Sequence, residues 1–451
     1  MNRIFYRPQS PLTGRMWDTW LYWHAGVYHL YYLANVSEKW DNISLATSTD
    51  GVHWHEHGPV LTKPPAAVWM GTGTTWQSPN FARDGKFFMN YSLSLPGQQI
   101  CMAESTDLIH WTPLGPETTT RPDTRWYKIS DDDTARWDCI FTAPRDEGGL
   151  WGWWTACPLT HAGIGFGWSA DGVHWESLPP PVFDPPLAAH LCEHGGVARV
   201  GNRYYHMIGV NGNMTTFIAE SPQGPLRRAA VNPVLLGNEG DWHTYFTRFF
   251  QAPEGLLVNH HSIEHAWGKV VSLGLLKRAV IDAAGTLRLG WWEGNDRLKA
   301  KSREIALPGI ADMIAGINVQ MLPEELPTDD GIILEGRIEL PSLSVPDAPR
   351  GLFIGTAPDE GTAILLAKNG SARIGRLART GEGIEPHIGI DREFDFGRAP
   401  SFRLVIERDL LEFYLADILI HCYSLPVPCD GRLGVIGCAD GLQVWSGRVE
   451  S

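Results

Sequence analysis

One seven-residue phrase is written three times in the first half of the chain: Ser48-Thr49-Asp50-Gly51-Val52-His53-Trp54, Ser105-Thr106-Asp107-Leu108-Ile109-His110-Trp111 and Ser169-Ala170-Asp171-Gly172-Val173-His174-Trp175. Each copy follows a strand-like run and closes on a tryptophan, and those tryptophans lie 57 and 64 residues apart. A turn phrase repeating at that interval marks a repeated four-stranded sheet. Sheets set as blades around an axis direct their innermost strands at one central pocket. The aspartates of the phrase read as turn formers and its tryptophans as packing between blades.

The rest of the first 297 residues agrees with that reading. Long helical periodicity is scarce, and short runs rich in Tyr, Trp, Val, Ile and Phe alternate with Gly, Asp, Asn and Pro, which reads as strands and tight turns. The clearest strands are 27–33, 86–91, 150–155 and 203–208, each preceded by a turn pair (Ala25-Gly26, Asp84-Gly85, Gly148-Gly149, Gly201-Asn202), with a fifth at 255–259. Five such hairpins predict an all-β, five-bladed β-propeller over residues 1–297. After residue 300 the texture changes, and only Trp445 follows Trp292. Alternating runs such as 331–340, 402–407, 410–415 and 433–437 predict a C-terminal β-sandwich over 303–451.

The charge balance narrows the partners. The chain carries 37 basic and 51 acidic residues, net −14, with no basic tract, which argues against nucleic acid or an anionic membrane. No 18-residue apolar run suggests a membrane span. The first residues lack the apolar core of a secretory signal, so a cytoplasmic location is expected. Seven dispersed cysteines form no CxxC pair, indicating neither a disulfide framework nor a zinc cluster. Histidines 190, 194, 243, 260, 261 and 265 lack metal-ligand spacing, so neither metal nor cofactor is expected. A homo-oligomer is compatible with the composition.

Three acids stand out by setting. Asp18 precedes the first hairpin, Asp138 opens the third blade and Glu193 opens the fourth, each at the start of an innermost strand, where side chains meet at the axis. A single Asp there reads as a turn cap, but three at equivalent positions read as a site. Carboxylates in an aromatic-walled pocket form a glycosidase pattern: one nucleophile or base, one acid/base, and one residue holding sugar hydroxyls. The twenty tryptophans suit both a dense β core and sugar stacking. Trp17, Trp20, Trp76, Trp137 and Trp242 flank the proposed segments and are candidate sugar platforms, with blade packing an equal alternative for any one of them. His194 and His243 are candidates for hydrogen bonding to sugar hydroxyls or tuning Glu193.

These residues carry a resemblance to glycoside hydrolase family 32, the invertase, inulinase and levanase group, and to its furanosidase relatives. The stretch from Met16-Trp17-Asp18 through Gly26-Val27-Tyr28-His29-Leu30 resembles the family's opening Asn-Asp-Pro-Asn-Gly element and its following strand. Trp137-Asp138-Cys139 resembles the Arg-Asp-Pro element and Cys192-Glu193 the Glu-Cys element. Trp76-Gln77-Ser78 resembles the start of the second blade, and Asp241-Trp242-His243 with Tyr245 the fifth-blade segment. The resemblance covers essentially the whole chain and implies the same propeller and sandwich. It implies Asp18 as nucleophile, Glu193 as acid/base and Asp138 as transition-state stabiliser; beside them, Trp17, Trp76, Gln77, Trp137, His194, Asp241 and His243 are expected on the substrate. The expected partner is a furanoside or small oligosaccharide, cleaved with retention and without a cofactor. The departures are equally plain: the opening asparagines and proline are absent, Trp137 stands where the family has arginine, and Cys139 where it has proline. They point away from an ordinary invertase substrate. Glycosyl transfer at the same site, or a propeller that binds sugar without cleaving it, are the alternatives.

Overall fold

In the computed structural model, residues 3–11, 14–36, 40–131, 134–188, 192–237, 244–264, 270–341 and 349–446 are described. The chain divides into two compact units, Arg7–His261 and Met1–Tyr6 with Ser262–Ser451. Both are built from strands.

The first unit opens with the sheet Arg15–His24, Val27–Asn35, Asn42–Ser48 and His55–Thr62, in that order. The Ala25-Gly26 link has both residues at positive φ (48° and 86°), the tight primed turn that matches the right-handed twist of a hairpin. The second sheet is Met70–Gln77, Phe87–Ser94, Gln98–Ser105 and Thr112–Pro113. The third is Trp137–Pro144, Leu150–Ala156, Ile164–Ser169 and Glu176–Leu178. The fourth is Cys192–Val200, Arg203–Val210, Asn213–Ala219 and Arg227–Arg228, with Val234–Leu236 also paired to its third strand. Each sheet follows chain order from an innermost first strand, the arrangement of propeller blades. A further pair, Thr244–Ala252 and Gly255–Ile263, is hydrogen-bonded after them. Among the described residues the first unit thus holds four sheets of four or five strands and one further strand pair.

The repeated phrase closes the corner after the third strand of the first three sheets. Asp50 Oδ1 accepts the amides of Val52 and His53 at 3.0 and 2.9 Å, while its Oδ2 lies 2.7 Å from the His53 ring. Ser48 Oγ accepts the Gly51 amide and donates to Asp50. The same contacts recur around Asp107 and Asp171. These corners also join neighbouring sheets. Tyr31 of the first donates its hydroxyl to Leu108 O in the second at 2.6 Å and meets Trp111 edge-on. Trp76 of the second donates to Gly172 O in the third and meets Trp175 edge-on. Trp153 of the third donates to Pro222 O in the fourth.

In the second unit one antiparallel sheet runs in the order Lys277–Ile281, Leu287–Trp291, Ile418–Ser424, Leu410–Leu415, Ser401–Glu407, Ile332–Ile338, Ala439–Ser446 and Lys301–Glu304. Another contains seven strands between Asp312 and Ile436. Alternate residues of both sheets, such as Leu334, Leu404 and Phe413 from one and Ile354, Ile364 and Ile374 from the other, share one buried cluster. The two-residue period read from the sequence is that of strands burying one face.

Candidate active site

The five inner strands of the first unit run in the same sense, and their first residues surround one cavity of about 560 Å³. Asp18, Asp138 and Glu193 all line it. The three acids singled out in the sequence, 120 and 55 residues apart, therefore meet in one place.

A local device aims them. In four inner strands the pairing slips near the cavity: between Trp17 and Trp20, Met70 and Gly73, opposite Trp153 and Thr155, and between His194 and Gly196. An extra residue in one strand bends it and re-aims the side chains beside it. Asp18, Cys139 and Phe246 sit at positive φ, 43°, 56° and 54°. Such backbone costs a non-glycine residue on the order of 1 kcal/mol, and it collects at functional sites. The kink at Asp18 lets both Trp17 and Asp18 line the cavity, which a regular strand would forbid.

Arg136 organises the acids. Its Nη1 donates to Glu193 Oε1 at 2.6 Å and its Nη2 to Asp138 Oδ2 at 2.9 Å. Ser92 Oγ donates to Asp138 Oδ1 in a short contact. Tyr245 donates its hydroxyl to Glu193 Oε2 at 3.1 Å. Gly209 pairs with Glu193 across the sheet, and a Cβ there would lie 2.1 Å from that hydroxyl, so glycine makes room for the bond. Burial would lower the Arg136 pKa, but Glu193 and Asp138 outweigh it and raise it. Burial, then the neighbouring Glu193, raises the Tyr245 phenol well above its usual range. For Asp18, burial dominates and lifts its carboxyl to about 7. Arg248 opposes that rise, whereas Glu193 and Asp138 reinforce it. Burial also pushes the Cys139 and Cys192 thiols to about 12, so neither is a thiolate nucleophile at neutral pH.

The aromatic assignments divide. Trp17 lines the cavity, with Trp40 stacked beside it at 6.1 Å and Trp69 also on the wall. Trp137 does not reach it. It is fully buried, donates to Thr120 O, and packs on Tyr127 and Trp154. The physical reason is alternation: with Asp138 facing the cavity, residue 137 faces the opposite way and residue 136 the same way. The arginine is therefore present in the site, one position before the expected one. Trp76 is likewise taken up by sheet packing, and Trp76, Gln77 and Trp20 line a second cavity formed by the far ends of the inner strands. His194, adjacent to Glu193, points away from the site. It is fully buried, with Nε2 3.0 Å from His206 Nδ1 and burial holding its pKa well below the usual range. Asp241, Trp242 and His243 lie outside the described residues. Arg136, Tyr245, Trp40 and Trp69 were not assigned from sequence. Of these, Arg136 was open to the two-residue period, whereas Trp40 and Trp69 arrive from loops that no periodicity places.

No protein-family profile and no curated protein matches the chain. Solved structures do. Over 99% of this chain and 92% of theirs, it superposes on sucrose-6-phosphate hydrolase from Lactobacillus gasseri with a TM-score of 0.71 at 14% identity. For fructan 1-exohydrolase IIa from Cichorium intybus the TM-score is 0.68 at 14% identity, covering 99% and 97%. For the GH32 β-fructofuranosidase of Bombyx mori it is 0.69 at 11% identity, covering 99% and 93%. The chain has their fold.

Proposed function

We propose that this protein is a glycosidase that releases a terminal furanose from a small oligosaccharide or furanoside with retention of configuration. The observation that carries the reading is the meeting of Asp18, Asp138 and Glu193 around one cavity with an aromatic wall. In this reading the architecture is a five-bladed propeller over residues 1–297, its fifth blade begun by Thr244–Ala252 and Gly255–Ile263, followed by a sandwich over 303–451.

The Asp18 carboxylate attacks the anomeric carbon as the glycosidic C–O bond breaks, and Glu193 gives its proton to the leaving oxygen. Glu193 then takes a proton from water, whose oxygen displaces Asp18 and frees the sugar. Asp138, fixed by Ser92 and Arg136, receives hydroxyls of the terminal ring. Hydrogen bonds that strengthen as the ring flattens toward the oxocarbenium ion lower the barrier. Trp17, with Trp40 and Trp69, offers apolar faces to the sugar. Arg136 in the site supports a polar grip on the furanose, so the fructosides cleaved by the structural neighbours remain within the substrate class.

The test is a screen of aryl fructo-, arabino- and galactofuranosides and short fructo-oligosaccharides, with NMR of the first-formed anomer. Asp18→Asn and Glu193→Gln are expected to lower kcat by at least about 10³-fold while leaving the fold intact. Binding of a furanoside without product release would overturn the hydrolytic reading, and inversion at the anomeric carbon would overturn the double displacement.

A further inference from the structure

Arg248 is 1% exposed, in the middle of the inner strand Thr244–Ala252. It lines the second cavity, about 740 Å³ at the far ends of the inner strands, yet its guanidinium reaches the floor of the first. Its Nε donates to Thr19 O at 3.1 Å, its Nη1 to Gly73 O and to Cys139 Sγ at 3.3 Å each, and its Nη2 to Thr72 Oγ1 at 2.8 Å. Phe246, Phe141 and Trp20 hold their ring faces 4.6, 5.1 and 5.9 Å from its centre. The four partners are neutral, and a buried cation with neutral partners is expensive unless negative charge lies nearby. Those partners also share a location. Thr19 follows Asp18 in the first kink, Thr72-Gly73 lie in the second, and Cys139 follows Asp138 in the third.

We propose that Arg248 is the positioning residue of the carboxylate site, clamping with one guanidinium the kinked segments of three inner strands and setting a fixed positive charge beneath Asp18. A planar fork with five donors in fixed directions can register three strands at once. The charge acts in a crowded field. Asp18 also senses Glu193, Asp138, Arg136, Cys139 and Tyr245, and Arg248 also senses His194 and His261. Of the groups acting on the Asp18 carboxyl, Arg248 is the strongest in favour of its charged form.

The proposal rests on the nucleophile role of Asp18 only for its kinetic arm. The direct arm is a ¹³C-carboxyl NMR titration of full-length protein labelled at aspartate, with Asp18 assigned by its loss in D18N. Arg248→Met is expected to raise the pH at which Asp18 titrates by about one unit or more. Arg248→Lys, which keeps the charge and loses the fork, is expected to titrate near wild type. On a furanoside substrate Arg248→Met is expected to shift the acid limb of the kcat profile upward by the same amount. Arg248→Lys is expected to lower kcat at least about tenfold with KM little changed. An unshifted Asp18 in folded Arg248→Met would overturn the charge role. Wild-type kcat in Arg248→Lys would overturn the clamp, and that variant carries the test if Arg248→Met does not fold. A shifted Asp18 titration in a protein that cleaves no furanoside would uphold the assignment of Arg248 while removing the hydrolytic reading.

Discussion

In the proposed reaction the Asp18 carboxyl, at about 7, must lose its proton before it can attack. The kcat/KM of the free protein is therefore expected to fall as pH drops below about 7, an acid limb that a pH–rate profile reads directly. The same residue bears on stability. An acid whose folded value exceeds its unfolded value, near 3.8, gives stability that is fully present below pH 4 and lost as pH rises through 7. Asp18→Asn removes that loss. After allowance for solvent reaching the carboxyl through the cavity mouth, it is expected to gain about 1–3 kcal/mol at pH 8 and almost nothing at pH 4. Urea unfolding at the two pH values checks this, and equal effects at both would refute it. At this scale the three acids were legible because each opens a strand at a matching place. Their neighbours were misread, since sequence proximity put Trp137 and His194 in the site while the strand period turns them away. The kinks that break the period at Trp17 and Asp18 leave no signature in residue type.

The repeated corner is the element that the sequence reveals most fully. Asp171 accepts from the amides of Val173 and His174 and from Ser169 Oγ, and its second oxygen lies 2.7 Å from the His174 ring. Burial alone would raise its pKa, but the His174 and Val173 bonds outweigh it and hold it at about 2. The stability this supplies is present above pH 4 and lost as pH falls through 2. Asp171→Ala is expected to cost about 1 kcal/mol at pH 7, a modest figure because the corner is half exposed. The difference from wild type should shrink between about pH 4 and pH 2. Asp50 and Asp107 occupy the same setting in separate sheets, so the triple variant is expected to lose about 3 kcal/mol, near the sum. A chemical-denaturation series reads this, and a triple loss no larger than a single one would show that the corners are not independent supports. What the phrase could not reveal are the kinks near the opposite ends of the inner strands, at Trp17–Trp20, Met70–Gly73 and His194–Gly196 and opposite Trp153–Thr155, where backbone conformation rather than composition makes the site.

Across the whole molecule the repeat acts as a ruler, because corners spaced by a sheet's length fix which strands are innermost, and the innermost strands must share a cavity. The second unit was legible only as alternating strands. Its most demanding feature gave no sequence signal: Lys277 and Glu412 are 0% and 1% exposed, 2.9 Å apart, and separated by 135 residues. Glu412 also accepts the Leu275 amide and the Tyr414 hydroxyl, so each of its oxygens has a donor besides the ammonium. In a buried pair, desolvation and attraction nearly cancel, and the cost appears when one partner is removed. Lys277→Met is therefore expected to destabilise by about 3–5 kcal/mol, leaving a carboxylate buried without its cation. The double variant Lys277→Met with Glu412→Gln removes the stranded charge, while its amide oxygen still accepts from the Leu275 amide and its NH2 can donate to the Tyr414 hydroxyl oxygen, so it is expected to recover at least half of that loss. Urea unfolding of the wild type and the two variants decides the matter. A double variant no more stable than Lys277→Met alone would mean that the pair holds this sheet by its specific geometry, and that no neutral pair can replace it.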